Sequence, residues 1–125
     1  MELVRKTVVD FQRGAMGEVL DAASDDVVFY RAEPEGAYFK GKDGFLRALA
    51  EWSEGFDAFD VAVEELIDAG DLVVARVRQS ARIRGSEVPV VGDYWFLYGF
   101  RDGKVVRLDI YARRDDALAA AGMAR

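Results

Sequence analysis

The chain has 125 residues, 51% hydrophobic and 32% charged, enough for one domain with a buried core and too apolar for a disordered chain. Seventeen basic against 23 acidic residues leave a net charge of -6, which works against a nucleic-acid or anionic-membrane partner, since either needs a basic stripe. Cysteine and histidine are both absent. Disulfides, thiol and serine–histidine nucleophiles, and zinc sites built on those ligands are therefore excluded, and any catalysis must run on Asp, Glu, Tyr, Lys or Arg.

Residues 2–13 place Val4, Val8 and Phe11 at helical spacing, with Gly14 as a stop. A second short helix follows, with Met16, Val19, Leu20 and Ala23 inward, and "SDD" at 24–26 ends it. "VVFYRA" at 27–32 reads as a strand by its β-branched and aromatic content, and 36–41 as a loop. Asp43 caps a third helix whose apolar side is Phe45, Leu46, Leu49, Trp52 and Phe56. The period then changes to two, predicting strands over 59–68, 72–84, 88–100 and 104–112, joined by turns at "AGD", "GSE" and "RDG". Such short connections make neighbouring strands antiparallel. An alanine-rich C-terminal helix closes the chain, with Asp115 and Asp116 in its first turn, where negative charge suits the dipole. The expected fold is α+β, with helices gathered on one face of a curved, mostly antiparallel sheet, in a single domain over residues 1–125. No signal-peptide core opens the sequence and no apolar run approaches the ~20 residues of a membrane span, so a soluble cytoplasmic protein is expected.

Four stretches in this order resemble the SnoaL-like branch of the nuclear transport factor 2-like superfamily: "LDAASDDVVFYRA", "YFKGKDGFLRALAEW", "DAGDLVVARVR" and "FRDGKVVRLDIYARRDDALAAAG". The resemblance covers nearly the whole chain and implies a cone of bent sheet closed by the helices. It does not select a function, because one fold hosts isomerases, hydrolases, cyclases and binding modules. Comparison with steroid isomerases of this fold turns Phe29, Arg31, Val73, Ala75, Val77, Gln79, Tyr94, Phe96, Tyr98, Phe100, Val106, Leu108, Ile110 and Ala112 inward. Arg76, Arg78, Trp95, Leu97, Val105, Arg107, Asp109 and Tyr111 then face outward. Trp95 and Leu97 are costly to leave in water, so a homodimer packed partly through the sheet face is expected.

The resemblance also assigns roles, and this sequence departs from them. The steroid-isomerase base position holds Arg31, which stays protonated and cannot act as a base, and the oxyanion-donor positions hold Thr7 and Phe96. The middle-strand arginine–aspartate pair of limonene-type epoxide hydrolases corresponds to Arg76 and Arg78, and their last-strand aspartate to Ile110. The acid/base aspartate of SnoaL-type cyclases corresponds to Arg113.

What remains is a pocket with aromatic walls and one inward cation. Arg31 needs a partner, either Glu33, Glu35 or an acid on a facing strand, or else a ligand's carboxylate, enolate or carbonyl. Glu33, closing the first strand, is the remaining general-base candidate, with Arg31 as electrophile. Phe29, Trp52, Phe56, Gln79, Tyr94, Phe96, Tyr98 and Leu108 are the candidate ligand-binding residues. Tyr38 falls in the loop at the rim. The principal reading is a binding protein for an apolar or aromatic small molecule, without cofactor or metal. The alternatives are a carboxylate-based isomerase, cyclase or hydrolase, and a non-catalytic dimerisation module whose cone is filled by its own side chains. A cavity below about 300 Å³ favours the last.

Overall fold

A computed structural model of the chain describes residues 2–32, 36–54 and 56–122, with side chains at all of these except 52, 53 and 56–59. The elements run α1 (Glu2–Gln12), α2 (Met16–Asp21), β1 (Ala23–Arg31), β2 (Ala37–Lys40), α3 (Gly41–Ser53), β3 (Phe56–Ala69), β4 (Leu72–Ile83), β5 (Pro89–Arg101), β6 (Lys104–Tyr111) and α4 (Arg114–Ala120). The strands form one sheet in the order β2-β1-β6-β5-β4-β3. β1 and β6 pair parallel, since α3 and four strands separate them in the chain; every other neighbouring pair is antiparallel. The α+β class with its curved sheet is as the sequence implies.

The inner face of the sheet carries the main core. Val27 and Phe29 of β1, Ala75 and Val77 of β4, Tyr98 of β5 and Leu108 and Ile110 of β6 are all nearly inaccessible. Val4 of α1 and Phe45, Ala48 and Leu49 of α3 close over them at the three- and four-residue spacing of a helix face. Asp102 and Gly103 both adopt positive φ, 54° and 77°, which is the two-residue turn that matches strand twist and that Asp-Gly tolerates. Among the irregularities that bend the sheet are two single-residue bulges. Opposite β4, Glu64 is the extra residue between Val63 and Glu65, and opposite β5, Val106 is the extra residue between Val105 and Arg107.

Several expectations are corrected. Residues 37–40 are not loop but an edge strand pairing Phe39 with Phe29 and Tyr38 with Tyr30. Only Phe39 of its four residues is buried, too few for alternation to show in the sequence. Ala23 and the "SDD" stretch belong to β1 rather than to the end of α2, with the Asp26 carboxylate accepting from Ser24 at 2.7 Å and from Arg101 at 3.0 Å. α3 begins at Gly41, with Asp43 in its first turn rather than at its cap, and the backbone at Phe56 opens β3 instead of continuing α3. The Val106 bulge reverses one expected parity, putting Val105 inside and Val106 outside.

The outer face holds a second core, also within the one chain. Val74, Trp95, Leu97 and Tyr111 pack beneath Ala117 and Leu118 of α4, and the Arg114 guanidinium lies 5.6 Å from the Trp95 ring. Trp95 is 9% exposed and Leu97 not at all. The burial of these two side chains, on which the expectation of a sheet-face homodimer rested, therefore asks for no partner subunit. No described helix is long and apolar enough to cross a membrane.

Candidate functional site

Inside the cone, a chamber of about 40 Å³ remains between helices and sheet. α1 contributes Thr7, Val8 and Phe11, α2 Val19, and α3 Phe45 and Leu49. The sheet contributes Val61, Phe96, Tyr98, Val105, Leu108 and Ile110. Only two of these walls carry a polar side-chain atom, and the two meet. The Thr7 hydroxyl donates to the Val4 carbonyl oxygen at 2.8 Å and lies 3.4 Å from the Tyr98 hydroxyl. The Thr7 hydroxyl shares its one proton between these two oxygens, so the Tyr98 O–H is left as the donor of the chamber.

Tyr98 is the titratable group of the chamber. It is 3% exposed, stacked 5.9 Å from Phe100 and 6.3 Å from the Phe96 ring. Burial pushes its phenol from the usual 10 up to about 12, against a small opposing effect of the Thr7 hydrogen bond. At neutral pH it is therefore a hydrogen-bond donor and not a base. Because the folded value lies above the unfolded one, its contribution to stability is complete below pH 10 and is lost as pH rises towards 12. Urea titrations across that range should lose up to about 3 kcal/mol through this group. Tyr98→Phe should flatten that part of the alkaline slope; an unchanged slope would place the loss elsewhere.

Of the sequence-derived ligand residues, Phe96, Tyr98 and Leu108 line the chamber. Phe29 does not: it lies behind the wall, its ring 6.0 Å from Phe39 and 5.9 Å from Phe45. Gln79 and Tyr94 share the inner parity but sit farther along β4 and β5 and do not reach the chamber. The side chains of Trp52 and Phe56 lie outside the described residues, as does the whole of Glu33. Val8, Phe11, Val19, Phe45 and Leu49 were legible as packing faces of amphipathic helices, but nothing in their spacing separates chamber wall from core.

Arg31 is inward, paired in register with Ile110, yet it is not a chamber residue. Its guanidinium lies 5.5 Å from the Phe39 ring, with the Arg47 guanidinium 5.4 Å from the same ring. Its described acid partner is Glu51 of α3, at 3.5 Å, rather than an acid on a facing strand; Glu33 and Glu35 lie outside the described residues. The Arg31 Nε is buried without a hydrogen-bond partner among the described residues. Among the resemblance-derived positions, Thr7, Phe96 and Ile110 face the chamber. Arg76 faces outward and pairs with Glu65 at 3.6 Å and Asp93 at 3.3 Å, and Arg78 pairs with Asp93 at 3.6 Å, so both serve as surface charges. Among the described residues, no carboxylate lines the chamber, and no group of three acids is gathered that would hold a metal ion.

The geometry has counterparts. The model of the SnoaL-like domain family matches residues 4–108. A nuclear transport factor 2-like protein from Burkholderia pseudomallei superposes with a TM-score of 0.80 at 17% identity, over 95% of this chain and 94% of that one. A protein of ketosteroid isomerase-like fold from Catenulispora acidiphila, solved with trimethylamine, gives 0.78 at 17% identity over 98% and 94%. A putative polyketide cyclase from Sinorhizobium meliloti gives 0.71 at 23% identity over 88% and 94%. At these identities the likeness is one of fold. No curated protein matches the chain.

Proposed function

The chain belongs to the SnoaL-like domain family, and on that footing we propose that its cone is a binding chamber for a small apolar or aromatic molecule bearing one hydrogen-bond acceptor, held without turnover. The observation that carries this is the Tyr98 hydroxyl, a neutral donor in a wall that is otherwise apolar except for Thr7. An enclosed apolar space stays dry and takes apolar guests, while a single fixed donor orients them. General-base catalysis inside the chamber lacks a group to perform it among the described residues, since Tyr98 is held protonated and Arg31 lies outside.

A second reading is favoured by the volume. About 40 Å³ is far below the ~300 Å³ of usual ligand sites, as expected for a cone filled by its own side chains. On the binding reading, a guest larger than a few waters must move α1 or α3 away from the sheet, and the chamber is a closed state.

Amide-resonance NMR of the full chain titrated with cyclohexanone separates the two. Binding predicts saturable shifts at Thr7, Val8, Tyr98 and Leu108, weakened about three- to tenfold by Tyr98→Phe. Arg31→Met should leave affinity unchanged. Methylcyclohexane, which has no acceptor, should be indifferent to Tyr98→Phe. Absence of chamber shifts with both compounds at millimolar concentration selects the filled cone. Turnover of an identified substrate that is abolished by Glu33→Gln would instead establish the carboxylate-based enzyme.

A further inference from the structure

On the opposite face of the sheet, β2, β1 and β6 border an open groove of about 510 Å³, within the range of small-molecule sites. The Val106 bulge creates part of it, since Val106 and Arg107 both turn to this side. Gly99 stands opposite Arg107, and a Cβ there would lie 3.3 Å from the Arg107 Cβ and 3.2 Å from Leu72. The glycine thus leaves room for the arginine stem.

The groove holds a fixed cation. Arg107 Nε donates to both Asp109 oxygens at 3.1 Å and its Nη2 donates to Oδ2 at 2.7 Å, while the Tyr111 hydroxyl donates to the same oxygen at 2.7 Å. The Asp109 side chain is 4% exposed and that of Arg107 39%, so the ion pair presents its positive end to the groove. Arg107 Nη1 has no hydrogen-bond partner among the described residues. Beside it the Tyr30 ring lies 4.6 Å from that of Tyr38 and 6.0 Å from that of Tyr111, and Tyr38 is 67% exposed.

We propose that this groove is a second ligand site, independent of the chamber, for a planar aromatic carboxylate. The acid group pairs with the open edge of Arg107, whose geometry Asp109 has already fixed, and the ring lies against Tyr30 and Tyr38. A cation is the poorer occupant, because, among the described residues, the one carboxylate lining the groove is buried and already accepts from Arg107 and Tyr111.

The test is a titration of the full chain with naphthoate, read by amide-resonance NMR, with sedimentation velocity at both end points. Saturable shifts are expected at Val28, Tyr38, Val106 and Arg107, sparing Thr7, Phe96 and Leu108. The uncharged naphthamide should bind about tenfold more weakly or worse, since it loses the charge-assisted pair. Tyr38→Ala, at an exposed position, should cost about fivefold in affinity. Arg107→Gln alone strands Asp109, so Arg107→Gln with Asp109→Asn is the folded variant in which binding should vanish. The proposal is overturned by no saturation at about 10 mM, by equal binding of acid and amide, or by shifts confined to the chamber residues. A dimer that covers Tyr38 and Arg107 and excludes naphthoate would overturn it equally.

Discussion

Phe29→Ala should destabilise the fold by about 3–5 kcal/mol in urea titrations at neutral pH. The ring is 1% exposed and is the contact through which three elements meet: it sits on β1, edge-on to Phe39 of β2 at 83° and tilted at 59° against Phe45 of α3. Truncation removes the transfer free energy of a whole aromatic side chain and leaves a void beneath α3 that neighbours cannot fill without shifting. The two ring–ring contacts add their own loss, of order 0.5–1.5 kcal/mol each. Phe29→Leu, which fills most of the volume, should cost less than half as much. A loss under about 1.5 kcal/mol for the alanine variant would mean that α3 collapses onto the sheet, and that the chamber wall is softer than the packing implies. Because Phe29 lies behind the chamber, neither variant should alter the Tyr98→Phe effect on cyclohexanone binding.

Phe29 also marks where the sequence was readable. Strong β-branched and aromatic alternation in 27–31, 73–79 and 94–98 fixed the strands and their inner faces, because period two persists there long enough to exceed local noise. The missing element, β2, has one buried residue in four and owes its place to pairing with β1, a non-local cause that local composition does not carry. The parity of Val105 and Val106 failed for a related reason. A bulge is one inserted residue, and in "KVVRLDIY" two adjacent valines look alike, so only the register against β5 tells which turns inward. Trp95 and Leu97 were rightly placed on the outer face, but their cover is α4, whose "LAA" signal is too short to announce what it packs against. Arg31 was rightly placed inward, while its described acid partner came from α3, a contact set by tertiary geometry rather than by strand pairing.

Asp109→Ala should cost about 3 kcal/mol, a large effect for a residue on the outer face of a sheet. The carboxylate is 4% exposed at the side chain and accepts from both Arg107 and Tyr111. Removing it leaves the Tyr111 hydroxyl, in a residue 9% exposed, without its acceptor, and leaves a guanidinium partly buried without its counter-charge. Arg107 is 39% exposed, so water recovers part of the loss and keeps the expectation at the lower end for a broken buried pair. The order of variants tests the mechanism. Asp109→Asn keeps an acceptor oxygen and should lose less than alanine. Arg107→Met with Asp109→Leu removes both charges together and should recover most of the stability, since two well-packed apolar groups need no compensation. The Tyr111 phenol adds a spectroscopic readout. Burial first, and then its hydrogen bond to Asp109, raise its titration well above the ordinary tyrosine value. Asp109→Asn should bring the onset of Tyr111 ionisation, followed by absorbance at alkaline pH, back towards that value. If the double variant is no more stable than Asp109→Ala, the loss does not come from stranding the Arg107 charge.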